Sequence, residues 1–530
     1  MGYMDDIKNK RFCLVTGCLF ALIFILLIYS PQNVDPGYTN WVINGGGDNL
    51  QHYLGWRFFR NSGWNRYLLF MQNLNYPVGT SVIVTDSNPL FCLIFKAIRN
   101  ILPENFQFNG IWIICSYLLQ AYFSTVILWQ LTHKISLTVS GTFIAVMNPV
   151  ILQRALIHDT LTAHWLLLAA IWLALNYNKK RNLPGWFILT ELTLLIHIYF
   201  LPMIIFILVI QIIRMVIQKQ SFLRIAALPA VFSLSLFVGY YLFGYSHVQA
   251  QSGSFGELSM NLNAFINPDT VPAFLKARET LPLQYEGFNY WGLGVLVLIF
   301  LGAVVGNKEF LRMILPYMLP AAALILLAAS NQGYFDGHLV YHLELPDWVY
   351  SWLSVFRSSG RLVWCLYYLV LFAVLAVLAK RKDSNNILTA VVFACAFLQM
   401  VDFQVFFKDC ADRFRNPENQ IAAVPEEFIK ILPENTVHLY SSEGDSKIVD
   451  AFALYAADHH MTFNKSANAR GIKHIYGGDE IDLNSMTCQN VEPDSVYIFH
   501  TKVSFPENLM NCAGFDVTDL DGIKVVIRKK

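Results

Sequence analysis

Two stretches ahead of residue 110 set carboxylates beside histidine, amide and hydroxyl groups. The first is Gly45-Gly46-Gly47-Asp48-Asn49-Leu50-Gln51-His52-Tyr53, where glycines lead into a helix with Leu50, Tyr53 and Leu54 on one face. Asp48 followed by Gln51 three residues on fits a capping box. It fits a general base equally well, since a carboxylate beside an apolar surface holds its proton more tightly than one in water. His52, in the same stretch, is a substrate-binding candidate. The second stretch is Thr85-Asp86-Ser87-Asn88-Pro89. Asn88 as N-cap and Pro89 as first helical residue make an ordinary helix start. Asp86 is then either a turn residue or a second catalytic carboxylate facing Asp48. Two such acids could share substrate hydroxyls or a divalent metal.

Two further clusters follow. In His158-Asp159-Thr160-Leu161-Thr162-Ala163-His164-Trp165, the histidines are six apart, poor spacing for one helix face, so a turn must bring them together if His158, Asp159 and His164 are to bind one substrate. The alternative is a polar helix junction capped by Asp159 or Thr160. In Phe356-Arg357-Ser358-Ser359-Gly360-Arg361, arginines four apart share a helix face if the segment is helical. Paired guanidinium groups suit a phosphate, while the plain alternative is snorkelling to lipid headgroups. Arg154, near the outer end of the third span, could add to this patch. Glu443-Gly444-Asp445-Ser446 resembles an esterase nucleophile block, but without a partner Asp-x-x-His it reads as a turn.

The elements that must hold these residues are mostly apolar. Of 530 residues 55% are hydrophobic and 14% charged, against about 25% charged in soluble domains. A net charge of +1 gives no global attraction to nucleic acid. Crossing a bilayer takes about 20 apolar residues. Eleven stretches are expected to do so, at 12–30, 110–131, 136–156, 161–177, 184–198, 200–217, 223–243, 289–305, 311–329, 362–379 and 387–403. His197 to Pro202 separates the fifth from the sixth. The stretch 89–102 carries Lys96 and Arg99 and reads as an interfacial helix. Lys8, Lys10 and Arg11 put the N-terminus inside, and the basic loops at His133–Lys134, Lys179–Arg181, Lys219–Arg224, Lys308–Arg312 and Lys380–Lys382 then all fall inside. The tail falls outside. The expected organisation is a multi-span domain over 1–403 and a soluble α/β domain over 404–530. Strands are expected at Val437–Tyr440 and Val496–Phe499, a helix at Val449–Ala457, and a hairpin of Phe515–Leu520 and Ile523–Ile527 about Asp521–Gly522. Nine cysteines form no metal-spaced pair; Cys488 and Cys512 could bridge if the tail is extracytoplasmic.

The order of these pieces resembles the GT-C class of glycosyltransferases over roughly residues 12–403. Trp41 to Trp56 with Asp48 matches the acidic first outer loop of that class, and the His158–Trp165 and Phe356–Trp364 segments are similar to those of bacterial members. The resemblance implies a polytopic α-helical enzyme of the bacterial inner membrane. It would move sugar from a polyprenyl-phosphate carrier to a lipid-linked or envelope glycan, such as O-antigen, on the outer face. It implies Asp48 as base and Asp86 as second acid, with no nucleic-acid partner. Arg357 and Arg361 are this reading's own placement for the carrier phosphate. Trp41, Trp56, Trp64 and Trp291 could stack on sugars or anchor the interface. No metal ligand is assigned, and the missing DxD in the first loop leaves a divalent metal open. A membrane acyltransferase and a lipid or polysaccharide flippase or transporter are the competing readings. The first would show a complete SGNH set in the tail and the second inverted repeats with mid-span charges.

Overall fold

A computed structural model describes residues 3–45, 48–249, 255–380, 385–418, 421–468, 480–500, 505–520 and 522–529, with the backbone alone for residues 3, 305–313 and 385. The chain forms two compact units. One comprises Met1–Pro36, Phe108–Val238 and Ala250–Asn416, the other Gly37–Gln107, Gly239–Gln249 and Pro417–Lys530.

The first unit is helical. Among the described residues six helices are long and apolar enough to cross a membrane: Met4–Tyr29, Asn109–Thr132, Ile135–Ile157, Phe200–Ile217, Phe222–Leu242 and Ser359–Ala379. A seventh is counted if Asn386–Asp402 and Gln404–Arg415, bent by 49°, form one span. Phe222–Leu242 leaves Leu223, Leu234, Phe237 and Tyr241 exposed, as a helix facing lipid does. Other stretches expected to span make shorter helices. Trp165–Leu175 has 11 residues and Asn182–Ile196 has 15, and 15 residues reach only about 22 Å against a hydrocarbon core of about 30 Å. Hydropathy counts both kinds alike because it cannot tell burial in lipid from burial in protein; Leu166, Leu167, Leu168 and Ala170 are packed inside the unit. The stretches 289–305 and 311–329 lie on one helix, Leu293–Ala329, which continues through Lys308 where a loop was expected. No proline or run of glycines interrupts 305–313, so nothing local breaks it there. The break at His197 is real: one helix ends at Ile196 and the next starts at Phe200.

The second unit joins the first long loop to the tail, which lie far apart in sequence. In the tail, strands β1 (His438–Ser441), β2 (Thr462–Phe463), β3 (Ser495–Phe499), β4 (Phe515–Leu520) and β5 (Ile523–Arg528) make a sheet in the order β2-β1-β3-β5-β4. β1 runs parallel to both neighbours, with Leu439 opposite Phe463 and Tyr440 opposite Tyr497. β5 runs antiparallel to β3 and β4, and Leu520 pairs with Ile523 across the expected hairpin. Asp521 of its turn lies outside the described residues. The helix Ser446–Asp458 crosses from β1 to β2 and buries Phe452, Ala453, Ala456 and Ala457. Tyr440, Tyr497, Phe499, Leu509 and Val526 form the core of the sheet's other side, and Cys488 and Cys512 are disulfide-bonded.

The loop residues fold onto this domain through main chain and side chain. Phe463 N–H donates to the Asn73 carbonyl at 2.9 Å and Tyr76 N–H to the Phe463 carbonyl at 3.0 Å. The Tyr76 ring stacks on His438 at 4.4 Å. Arg57 pairs with Asp458 at 2.7 Å. In the helix Pro89–Ala97 and the 3-10 segment Arg99–Ile101 that follows it, the basic heads turn inward instead of snorkelling. Lys96 Nζ donates to Ser62 Oγ and the Gly63 carbonyl, and Arg99 donates to the Arg60 and Ser62 carbonyls. Burial, and then the charge of Arg99, bring the Lys96 ammonium down to about 7.

Candidate functional site

The helix Pro149–Ile157 begins where Asn148 caps it, its side-chain oxygen accepting from Val150 N–H at 2.9 Å, with Pro149 as first residue. That start sets Arg154 one turn before the helix end, where the His158 N–H donates to the Arg154 carbonyl at 2.8 Å. The chain then turns through a short 3-10 segment, Asp159–Thr162, into the helix Trp165–Leu175. Asp159 fixes that turn. Its carboxylate accepts from Asn109 Nδ2 at 2.6 Å and its carbonyl from Trp112 Nε1 at 2.9 Å. It is a buried clamp on the helix Asn109–Thr132, and the short 3-10 segment has no side-chain cap.

The two histidines keep different company. His158 Nδ1 bonds Thr160 Oγ1 at 3.0 Å, and its ring meets His197 at 5.1 Å. His164 Nδ1 bonds the Tyr368 hydroxyl at 2.9 Å, and its ring stacks on Trp364 at 4.7 Å.

Arg357 and Arg361 do not share a helix face. Two separate 3-10 segments, Ser354–Phe356 and Ser359–Val363, replace the expected helix, and Ser358 between them departs from helical geometry with φ −81° and ψ 60°. Arg357 is exposed while Arg361 is buried. Two glycines approach closely just after the break: a Cβ on Gly360 would lie 2.5 Å from the Gly287 Cα. Asn289 Nδ2 bridges the two glycines, donating to the Gly287 and Gly360 carbonyls at 2.9 Å each.

That approach delivers a residue the sequence gave no reason to choose. Glu286 meets Arg361 through two bonds, Nε to Oε2 at 2.6 Å and Nη2 to Oε1 at 2.7 Å. Arg154 Nη1 stands 3.0 Å from the same Oε2. Arg154 is fully buried, its guanidinium lies 5.5 Å over the Trp364 ring, and its Nε and Nη2 have no hydrogen-bond partner among the described residues. Arg361 lies 4.8 Å over the Tyr199 ring. Burial by itself would raise the Glu286 carboxyl; the Arg154 and Arg361 guanidinium groups overcome it and hold the group well below the usual carboxylate range. The only signal for Glu286 in the sequence is a lone acid between apolar residues ahead of a span.

In the second unit Asp48 occupies the N-cap position of the helix Asn49–Asn61 but makes no side-chain capping bond. Gln51 does not complete a capping box; its Nε2 reaches the Thr85 carbonyl at 3.4 Å. Gly46 and Gly47 lie outside the described residues. Asp48 is exposed and His52 buried. Gly55 lets this helix approach the 85–87 turn, since a Cβ there would lie 2.1 Å from Ser87 Oγ. Asp86 sits in that turn with φ 54°, and Asn88 caps the next helix by accepting from Phe91 N–H, with Pro89 at its start. Trp41 and Trp56 are buried, and Trp64 is half exposed.

In the tail, Asp445 caps the helix Ser446–Asp458 by accepting from Lys447 N–H at 2.9 Å, so the esterase-like block is a helix start. His438, Glu492 and Asp494 bring one ligand atom each within 4.8 Å of one another and could hold a cation. His438 Nε2 is 4.0 Å from Asp494, and Glu492 Oε2 accepts from Ser495 at 3.0 Å.

Membrane-length apolar helices, a buried cluster of two arginines about one glutamate and a small α/β tail define a mostly helical protein with six or seven candidate membrane spans among the described residues and a small C-terminal sheet region. The chain belongs to the family described as a domain of unknown function (DUF6311), whose model matches residues 18–404. The C-terminal domain of that family matches residues 429–528. No curated protein matches the chain.

Proposed function

We propose that the protein is a GT-C-type glycosyltransferase that moves sugar from a polyprenyl-phosphate carrier to an envelope glycan. The observation that carries the reading is Arg154. A guanidinium wholly buried on a helix of membrane length, with two nitrogens lacking acceptors among the described residues, is costly without an anion to receive them. Arg361 already holds both oxygens of Glu286, which leaves Arg154 a single shared contact. A phosphate oxygen supplies the acceptors a guanidinium fork fits. In this reading Glu286 and Trp364 hold Arg154 in place, and Arg154 stabilises the anionic carrier phosphate as it leaves. The reading moves the phosphate contact from the Arg357–Arg361 pair to Arg154.

Asp48 is the proposed base for the acceptor hydroxyl. The reading includes a multi-span unit in the inner membrane and an extracytoplasmic tail. The Cys488–Cys512 disulfide supports the outer location, because such bonds persist in oxidising compartments.

The test is transfer from a polyprenyl-phosphate sugar by purified Arg154→Lys protein, at folding matched by thermal unfolding. Lysine keeps the charge and loses the fork. Use of the lipid donor should fall about tenfold to a hundredfold, the equivalent of a lost charged hydrogen bond. Wild-type rates and donor saturation would remove Arg154 from the phosphate site.

A further inference from the structure

The second unit contains a cavity of about 510 Å³ that none of the chemistry above uses. It opens at the carboxyl ends of the parallel strands β1 and β2, lined there by Ser442 and Glu443 after β1 and by Lys465 and Ser466 after β2. Open parallel sheets bind ligands at that edge, because the strand-to-helix loops there expose backbone and side-chain polar groups together. The loop helix Asn49–Asn61 supplies Gln51 and Leu54 to the opposite wall.

The composition of the lining limits the ligand. One part is apolar, with Leu54, Leu74, Ala453 and Phe463. The rest presents hydroxyl, amide and charged groups. The charges balance, with two carboxylates, Glu443 and Asp450, against two ammonium groups, Lys447 and Lys465. Lys465 is already paired with Glu443 at 2.5 Å. No such partner meets Asp450: among the described residues it makes no ion pair or hydrogen bond, although it is largely screened from solvent, and that burial pushes its carboxyl up to about 6. A balanced site does not select an anion or a cation. It suits a ligand that is neutral, rich in hydroxyl donors and apolar on one face. Its volume is in the range of small-molecule sites, which run from about 300 to 1,000 Å³.

We infer that this cavity is a saccharide-binding site, with the Asp450 carboxylate accepting sugar hydroxyls and the wall of Leu54, Leu74 and Phe463 taking the C–H face of the ring. As the subsite for the acceptor glycan it rests on the glycosyl-transfer reading; as a saccharide site it stands on binding alone.

The experiment separates the two. The full chain in lipid nanodiscs is titrated with neutral di- and trisaccharides of glucose, galactose, mannose and rhamnose, and with phosphorylated and carboxylated sugars as the charged arm. Saturation-transfer NMR reads binding. At least one neutral saccharide should bind and the charged ones should bind more weakly. Asp450→Ala should weaken the bound saccharide about tenfold, the loss of a charged hydrogen bond. Ser446→Trp, an exposed position at the cavity wall, should block it sterically without touching the core. No binding by any neutral sugar, tighter binding by the charged arm, or unchanged binding in both variants would overturn the proposal. Binding with no transfer activity in the wild type would leave this site standing and sink the transferase reading. In an active enzyme, both variants should raise KM for the acceptor with kcat and donor KM unchanged; a fall in kcat alone would overturn the acceptor assignment.

Discussion

Glu286 in the helical unit and Asp450 in the loop-and-tail unit are both carboxylates withdrawn from water, and they respond in opposite directions. Glu286 is gripped by Arg361 and faces Arg154, and its proton affinity drops. Among the described residues Asp450 has no ion pair, and its proton affinity rises. Burial acts alike on both, so the difference lies in the partners. The first arrangement is built to keep a charge fixed inside the helical unit. The second leaves an acceptor free to be used by something that enters a cavity.

The sharpest way to break that comparison is Glu286→Gln. Removing one member of a buried ion-pair cluster leaves guanidinium charge uncompensated and costs about 3–5 kcal/mol. Thermal or denaturant unfolding in detergent should show the loss directly. A change below about 1 kcal/mol would mean that the cluster is solvated and that Glu286 does not organise it.

Asp450→Asn should have a smaller effect of opposite sign. The folded-state carboxyl sits at about 6 against 3.8 without the fold. Between those values the folded chain holds a proton that the unfolded chain has released, so stability falls as pH rises through that window and stays lower above it. The Asn variant should therefore be flatter with pH and more stable than the wild type above pH 6. Identical pH profiles would place the Asp450 side chain in open solvent.

Asp48→Asn is expected to change stability least of the three, because asparagine suits an N-cap as well as aspartate does. It should nonetheless abolish sugar transfer, since an amide cannot act as a base. Retained transfer at unchanged stability would remove Asp48 from the mechanism and leave it as a helix-start residue.

Local chemistry made much of the structure legible. Asn88 and Pro89 start a helix because one satisfies a free N–H and the other lacks one. The alternation in 515–527 becomes the hairpin pairing Leu520 with Ile523. The turn at His197 interrupts the helices as expected. In each case the residues that decide the outcome lie within a few positions of one another.

Helix lengths were less legible, since apolar runs such as Leu166 to Ala170 look the same whether lipid or protein covers them. The candidate sites were hardest to read. Arg357 and Arg361 have helical spacing, yet their segment is divided into two 3-10 pieces and only Arg361 is buried, where Glu286 meets it.

The sequence by itself determined the apolar helices, the α/β tail and the residue types available for chemistry, because composition and short-range periodicity encode those directly. The tertiary structure decided that Glu286 would join Arg154 to Arg361, the last of them 75 residues further along the chain. It also decided that residues 37–107 would fold with the tail and enclose a cavity. Ion pairs and cavities depend on which distant surfaces pack together, and that is settled by burial across the whole unit.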